Sequence, residues 1–169
     1  FDLAGNNQEV ASLSDGGVAG GTINSAAPAT LTVDGVTAQS YGGAITGDIG
    51  LAIGGPAMVS LSGSSTFTGG TLLSGGSLSI ANNYALGNPA AGGLQMSGTA
   101  GQIDNAYFTS ANPAIGSLAS TAGVSANVIL GNTSSGGSAT TLTIGAAGNS
   151  TTYNGNIGDQ SSANAAAIG

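Results

Sequence analysis

Five aliphatic residues, Leu31, Leu51, Leu72, Leu94 and Ile115, follow one another at nearly even intervals, each about the length of one coil of a stacked repeat. Around several of them apolar residues alternate with Thr or Ser, as in Ala29-Thr30-Leu31-Thr32-Val33, Met58-Val59-Ser60-Leu61-Ser62 and Ser77-Leu78-Ser79-Ile80. An alternation of period two sends every second side chain to the same side, the pattern of a strand with one buried face. Between these segments lie Gly-Gly, Ser-Gly, Gly-Asn and Asp-Gly pairs, which tolerate the positive φ of tight turns. No stretch repeats its apolar residues every 3.6 positions among helix formers, and Ala165-Ala166-Ala167 is too short to count as a helix.

Antiparallel hairpins in a sandwich or barrel would also supply many short strands. The recurrent spacing decides against them, because a coil of about 20 residues with three short strands is the unit of a stacked parallel solenoid. The sequence therefore predicts an all-β fold: a right-handed parallel β-helix, or β-solenoid, of about eight coils of roughly 20 residues. At about 4.8 Å per rung such a rod would be about 40 Å long. Composition fits a narrow interior. With 32 Gly, four Tyr, three Phe and no Trp, a core built around large rings is excluded, and Ala, Leu, Ile and Val must fill it. Only 4% of the residues are charged, which sets the chain apart from low-complexity disorder despite its Gly and Ser.

Lys, Arg, His and Cys are absent, while Asp2, Glu9, Asp15, Asp34, Asp48, Asp104 and Asp159 bring the formal charge to −7. Without cations, counterion release cannot drive binding to nucleic acid, and anionic membranes repel the chain. Without thiols there are no disulfides and no thiolate metal sites. The missing Lys and Arg also remove every trypsin-type cleavage site, which suits an exposed extracellular protein. No window approaches the roughly 18 apolar residues of a membrane-spanning helix. The start, Phe1-Asp2-Leu3-Ala4-Gly5, lacks the basic and apolar regions of a signal peptide, so a mature or internal piece of an exported protein is expected.

Catalytic chemistry is hard to assemble from these residues. Polysaccharide lyases of solenoid shape remove a proton with Arg or Lys, and neither exists here. Glycoside hydrolases need two carboxylates about 5 to 9.5 Å apart. Asp15 and Asp34, separated by close to one coil, could occupy adjacent rungs, with Asp48 following. Beside Gly16 and Gly35, however, they read as turn aspartates that bond their own backbone. The serines have no His or Lys to activate them, no Asp-x-Asp-x-Asp loop is present to hold Ca²⁺, and the Gly-Gly runs lack a phosphate-binding Lys. No enzyme activity is expected, and no catalytic, cofactor-binding or metal-binding residue and no cofactor is assigned. Tyr41, Tyr84, Tyr107 and Tyr153 could stack on sugars in an adhesin or glycan-binding module, although corner packing is the commoner use of such residues. Thr30-Leu31-Thr32, Thr66-Phe67-Thr68 and Thr141-Leu142-Thr143 suggest ice binding but are too sparse for one flat array. Asn132-Thr133-Ser134 and Asn149-Ser150-Thr151 match the N-glycosylation tripeptide, a short pattern that arises by chance in so polar a chain.

The chain also resembles itself. Val10-Ala11-Ser12-Leu13 matches Ile115-Gly116-Ser117-Leu118, Thr30-Leu31-Thr32-Val33 matches Thr141-Leu142-Thr143-Ile144, and Tyr41-Gly42-Gly43-Ala44-Ile45 matches Tyr153-Asn154-Gly155-Asn156-Ile157. The offsets grow from 105 to 111 to 112, as turn insertions would make them. Residues 1–169 thus read as one solenoid segment of a longer repeat protein, with a first copy over about 3–104 and a partial second over about 105–169.

Within the first copy, residues 65–87 read STFTGGTLLSGGSLSIANNYALG. This stretch resembles the passenger-associated transport repeat of autotransporters through Thr66-Phe67-Thr68-Gly69-Gly70-Thr71, Gly75-Gly76-Ser77-Leu78, Asn82 or Asn83, and Ala85-Leu86-Gly87. The segments Leu3–Leu13 and Leu31–Ile45 are similar to the spacers between such repeats. Where the family commonly has a Lys just upstream, this chain has Gly55-Pro56-Ala57-Met58. The resemblance implies a secreted β-helical passenger at the bacterial surface, carried by a C-terminal outer-membrane barrel, with a repeat tied to secretion and folding rather than to catalysis. The expected function is a non-enzymatic extracellular stalk or fibre, partnered by neighbouring repeats and by end-to-end or lateral association with its own kind. Physically, Gly69-Gly70 and Gly75-Gly76 are expected at corners, Leu72, Leu78 and Ile80 inside, and Phe67 over one corner.

Overall fold

A computed structural model describes residues 1–15, 20–98, 102–131 and 139–160. Gly16, the Asn132-Thr133-Ser134 tripeptide and Ala165-Ala166-Ala167 lie outside them. Among the described residues every strand pairing is parallel and there is no helix. One six-stranded face consists of β1 (Gln8–Val10), β2 (Thr22–Asp34), β4 (Ala44–Gly54), β6 (Thr71–Leu73), β8 (Leu94–Met96) and β11 (Leu118–Ser120), in that order. The second consists of β3 (Gln39–Tyr41), β5 (Met58–Leu61), β7 (Ser77–Ile80), β9 (Ile103–Phe108), β12 (Ser125–Leu130) and β14 (Asn156–Asp159). A short pair, β10 (Ala114–Ile115) with β13 (Thr143–Ile144), completes the set.

From β2 to β12 the chain visits the two faces alternately, so each circuit adds one strand to each, and the result is a β-solenoid of about five turns. A third side is closed largely by backbone hydrogen bonds from rung to rung, including Ala44 N–H to Gly21 O at 3.0 Å, Thr66 N–H to Ile45 O at 2.9 Å and Asn88 N–H to Phe67 O at 2.9 Å. Five steps of about 4.8 Å make a stack of about 24 Å, shorter than eight coils would give. The cause is the length of the later circuits. Met58 is stacked against Ser77, whereas Asn127 is stacked against Asn156, so half as much chain again is spent on the later step. Extra residues go into the turns, which lengthen at little entropic cost while the ladder is preserved.

Stacking in register turns the inward side chains into columns. Val33, Ile53, Leu73 and Met96 lie above one another on the first face, as do Leu61, Ile80, Phe108 and Leu130 on the second, and all are buried. Phe67 is fully enclosed in the core rather than draped over a corner. Leu78 and Ile80 point inward as expected, but Leu72 does not. It pairs with Ala52 and Gln95 and is 38% exposed, while Thr71 takes the inward place between Leu51 and Leu94. The column begun by Leu31 and Leu51 therefore continues through Thr71, Leu94 and Leu118, and Ile115 belongs to the separate short pair with β13. A spacing that is one residue too long carries a side chain to the opposite face, because the strand period is two.

Outside the barrel the second face carries a polar ladder. Asn127 Nδ2 donates to Asn105 Oδ1 at 3.1 Å, and Asn156 Nδ2 donates to Asn127 Oδ1 at 3.3 Å. Thr71 is the discordant member of the inner columns, since its Oγ1 is buried without a hydrogen-bond partner. A buried unpaired hydroxyl costs about 1–3 kcal/mol, so Thr71→Val, which keeps the shape and removes the hydroxyl, is expected to stabilise the protein by about 1 kcal/mol. A urea-unfolding midpoint at or below that of the unsubstituted chain would contradict this assignment.

Candidate functional site

The three carboxylates that could have formed a hydrolytic pair stand at different corners. Asp15 reaches into the next rung, where Gly42 N–H donates to its Oδ2 at 2.7 Å. Asp34 closes β2 and lies against Gly54 and Gly55, at the opposite end of the second face from Gly42. Asp48 sits where β2 and β4 shift register and accepts a hydrogen bond from Thr68 Oγ1 at 3.3 Å. Asp15 and Asp48 are thus held to a backbone or hydroxyl group of a neighbouring rung, and the three carboxylates do not converge. Among the described residues no three His, Cys, Asp or Glu side chains gather as a metal site would require.

The acidic residue that sequence reasoning passed over is Asp104. It lies in β9 in phase with the inward Ala106 and Phe108 and is completely shielded from solvent. Its Oδ2 accepts from Gly98 N–H at 2.8 Å, while Oδ1 has no partner. Burial raises its pKa above the ordinary 3.8, and the backbone N–H groups of Gly98 and Ser97 pull less strongly the other way. The alternation of Ile103-Asp104-Asn105-Ala106-Tyr107-Phe108 contained the signal, since Asp104 shares the phase of Phe108. Because the folded-state pKa exceeds the unfolded one, the stability that protonated Asp104 contributes is complete below about pH 4 and is lost as pH rises through the folded value. Asp104→Asn is accordingly expected to remove this slope, gaining relative to the unsubstituted protein between about pH 4 and 7. Parallel unfolding midpoints for the two proteins across that range would contradict it.

The four tyrosines divide by environment. Tyr41 is buried, and its hydroxyl donates to Gly21 O at 2.8 Å and, less closely, to Ala44 O. Tyr153 repeats the arrangement, donating to Ala126 O at 3.1 Å and to Asn156 O at 3.0 Å. In both places a glycine two residues on permits it, because a Cβ at Gly43 or Gly155 would strike the carbonyl of the preceding rung and the tyrosine ring. These two residues are corner clamps rather than exposed sugar platforms. Burial and the nearby charge of Asp15 raise the pKa of Tyr41, and burial pushes that of Tyr153 up to about 12. Their contribution is fully present below the ordinary value near 10 and is lost as the pH rises through the raised values. Alkaline unfolding monitored by circular dichroism is expected to coincide with tyrosinate absorbance of this hydrogen-bonded pair. Their ionisation near pH 10 without unfolding would contradict the clamp assignment.

Tyr107 projects from the second face between Ser79 and Ile129 and is partly covered. Tyr84 alone of the four is largely exposed, at 51%, in the turn after β7. The Thr motifs do not extend into an array, because Thr30 and Thr32 face Gly50 and Ala52 in the adjoining strand. A scan against protein-family models, a search of curated proteins and a search of solved structures found no match.

Proposed function

We propose that the chain is a non-enzymatic structural segment of an extracellular, autotransporter-like surface protein, serving as a rigid stalk. The observation that carries this reading is the uninterrupted parallel stacking of two six-stranded faces around a common apolar core. Such a stack transmits load through its ladders, and it lengthens by adding rungs without redesigning its core. The stretch that resembles a transport repeat forms part of it: Phe67 is in the core, and β6 and β7 occupy successive places in one circuit. The winding is taken as right-handed, the hand of nearly all parallel crossover connections. A C-terminal outer-membrane barrel is the carrier that the resemblance implies.

A fibre is the second form of the same reading. Among the described residues, Ile144 in β13 and Ile157 in β14 lie on the outermost strands of their sheets and are 43% and 39% exposed, where a further rung would cover them. Unpaired strand edges of this kind invite a neighbouring repeat or a second copy. Antibodies against this segment are expected to label intact cells that make the full protein. Labelling only after permeabilisation would overturn the surface role. Sedimentation over a range of concentrations separates the two forms, a constant mass giving the stalk and a rising mass the fibre.

A further inference from the structure

We propose that the concavity around Tyr84 is a binding subsite for a neutral saccharide unit. Three successive turns that leave the second face build it: Ser64 after β5, Asn82, Asn83 and Tyr84 after β7, and Ser110 and Ala111 after β9. Its volume is about 540 Å³. The concavity is broad and open to solvent, a surface against which one or two pyranose rings can lie.

The aromatic group is held ready. Ala85 and Leu86, which follow Tyr84, are buried, and the Tyr84 carbonyl accepts from Ser65 N–H at 3.0 Å and Gly87 N–H at 3.1 Å. Its own N–H donates to Asn82 Oδ1 at 3.0 Å. The backbone is thus fixed while the ring stands half in solvent, which spares a ligand most of the cost of ordering its partner. A tyrosine ring offers an apolar face to the C–H face of a sugar and a polar edge to its hydroxyls.

The polar groups around the ring are oriented by their other bonds. Asn82 Oδ1 is occupied by Tyr84 N–H, and Asn83 Oδ1 accepts from Asn112 N–H at 2.9 Å. A backbone N–H needs an oxygen, so in each side chain the Nδ2 is the group left to donate elsewhere. An apolar ligand would leave these groups unpaired.

Charge narrows the class further. None of the lining residues is ionisable apart from the tyrosine, and the chain has no Lys, Arg or His and a formal charge of −7. A sialylated or uronic saccharide would therefore find no counter-charge and would meet net repulsion. A neutral hexose meets neither obstacle.

Saturation-transfer NMR of the intact chain with lactose, maltose, cellobiose and mannobiose, each at about 10 mM, would detect affinities in the millimolar range. Sialyllactose and digalacturonate serve as acidic counterparts. Transfer to at least one neutral disaccharide is expected, with none to the acidic pair. Tyr84→Ala should weaken binding by about tenfold or more, and Tyr107→Ala not at all. No transfer from any neutral sugar, equal transfer to the acidic ones, or unchanged affinity in Tyr84→Ala would overturn the proposal. If Tyr84→Ala loses its β-type circular dichroism, Tyr84→Leu, which removes the ring and keeps an apolar side chain, decides in its place, and unchanged affinity there would overturn it. This subsite is separate from the stalk reading, which is tested by cell labelling and mass, so either can fail alone.

Discussion

The parallel ladder of backbone hydrogen bonds between successive rungs is the constraint on which the rest of this structure depends. It fixes each circuit directly above the last, so a side chain has a fixed neighbour above and below, and strand alternation decides whether that neighbour is core or surface. The core is consequently a set of columns rather than a cluster around a few large rings. Leu31 over Leu51 and Ile53 over Leu73 show the favourable case. Thr71, locked into the same column with an unpaired hydroxyl, shows what the ladder imposes when the residue does not suit the place. A glycine is needed wherever the ladder brings two backbones and a side chain together, as it does at Gly43 beneath the Tyr41 clamp.

A chain with seven carboxylates and no basic side chain must settle its acidic groups without salt bridges to Lys or Arg. It does so through the backbone. Ala4 N–H donates to Asp2, Gly42 N–H to Asp15 and Gly98 N–H to Asp104, while Thr68 supplies a hydroxyl to Asp48. Each of these bonds ties a turn in place, and the links to Asp15 and Asp48 also join neighbouring rungs. Hydrogen bonds to an ionised acceptor are stronger than neutral ones, so Asp2, Asp15 and Asp48 serve as fasteners as well as a source of solubility, whereas burial favours the protonated form of Asp104. Surface chemistry then falls to the turns, the part of a solenoid free to vary without breaking its stack. The one large exposed aromatic ring of the described tyrosines stands on such a turn, with asparagine and serine beside it.

The strands, their parallel stacking and the inward aliphatics were legible because they depend on local alternation and on a recurrence close to one coil in length. Leu78 and Ile80 were placed inside for that reason, and they are. Leu72 and Ile115 were misplaced because the interval between equivalent positions is not constant, and a count cannot tell an extra turn residue from an extra strand residue. Asp104 was overlooked because an acidic residue in a polar stretch reads as exposed until its phase against Phe108 is considered. Asp15 also reaches beyond its own turn to Gly42 N–H in the next rung, a partner that no local pattern reveals.

By itself, then, the sequence determined the class of the fold, because period-two alternation, frequent glycine and scarce large rings leave few ways to build an interior. It also determined the chemistry out of reach, since a side chain that is absent cannot serve as a base or a thiolate. The tertiary structure alone decided the register: which residues share a column, how many turns the chain completes, and which tyrosines are clamps and which meets solvent. The physical reason is that register depends on the length of every preceding turn, and turn length is nearly free of local energetic cost.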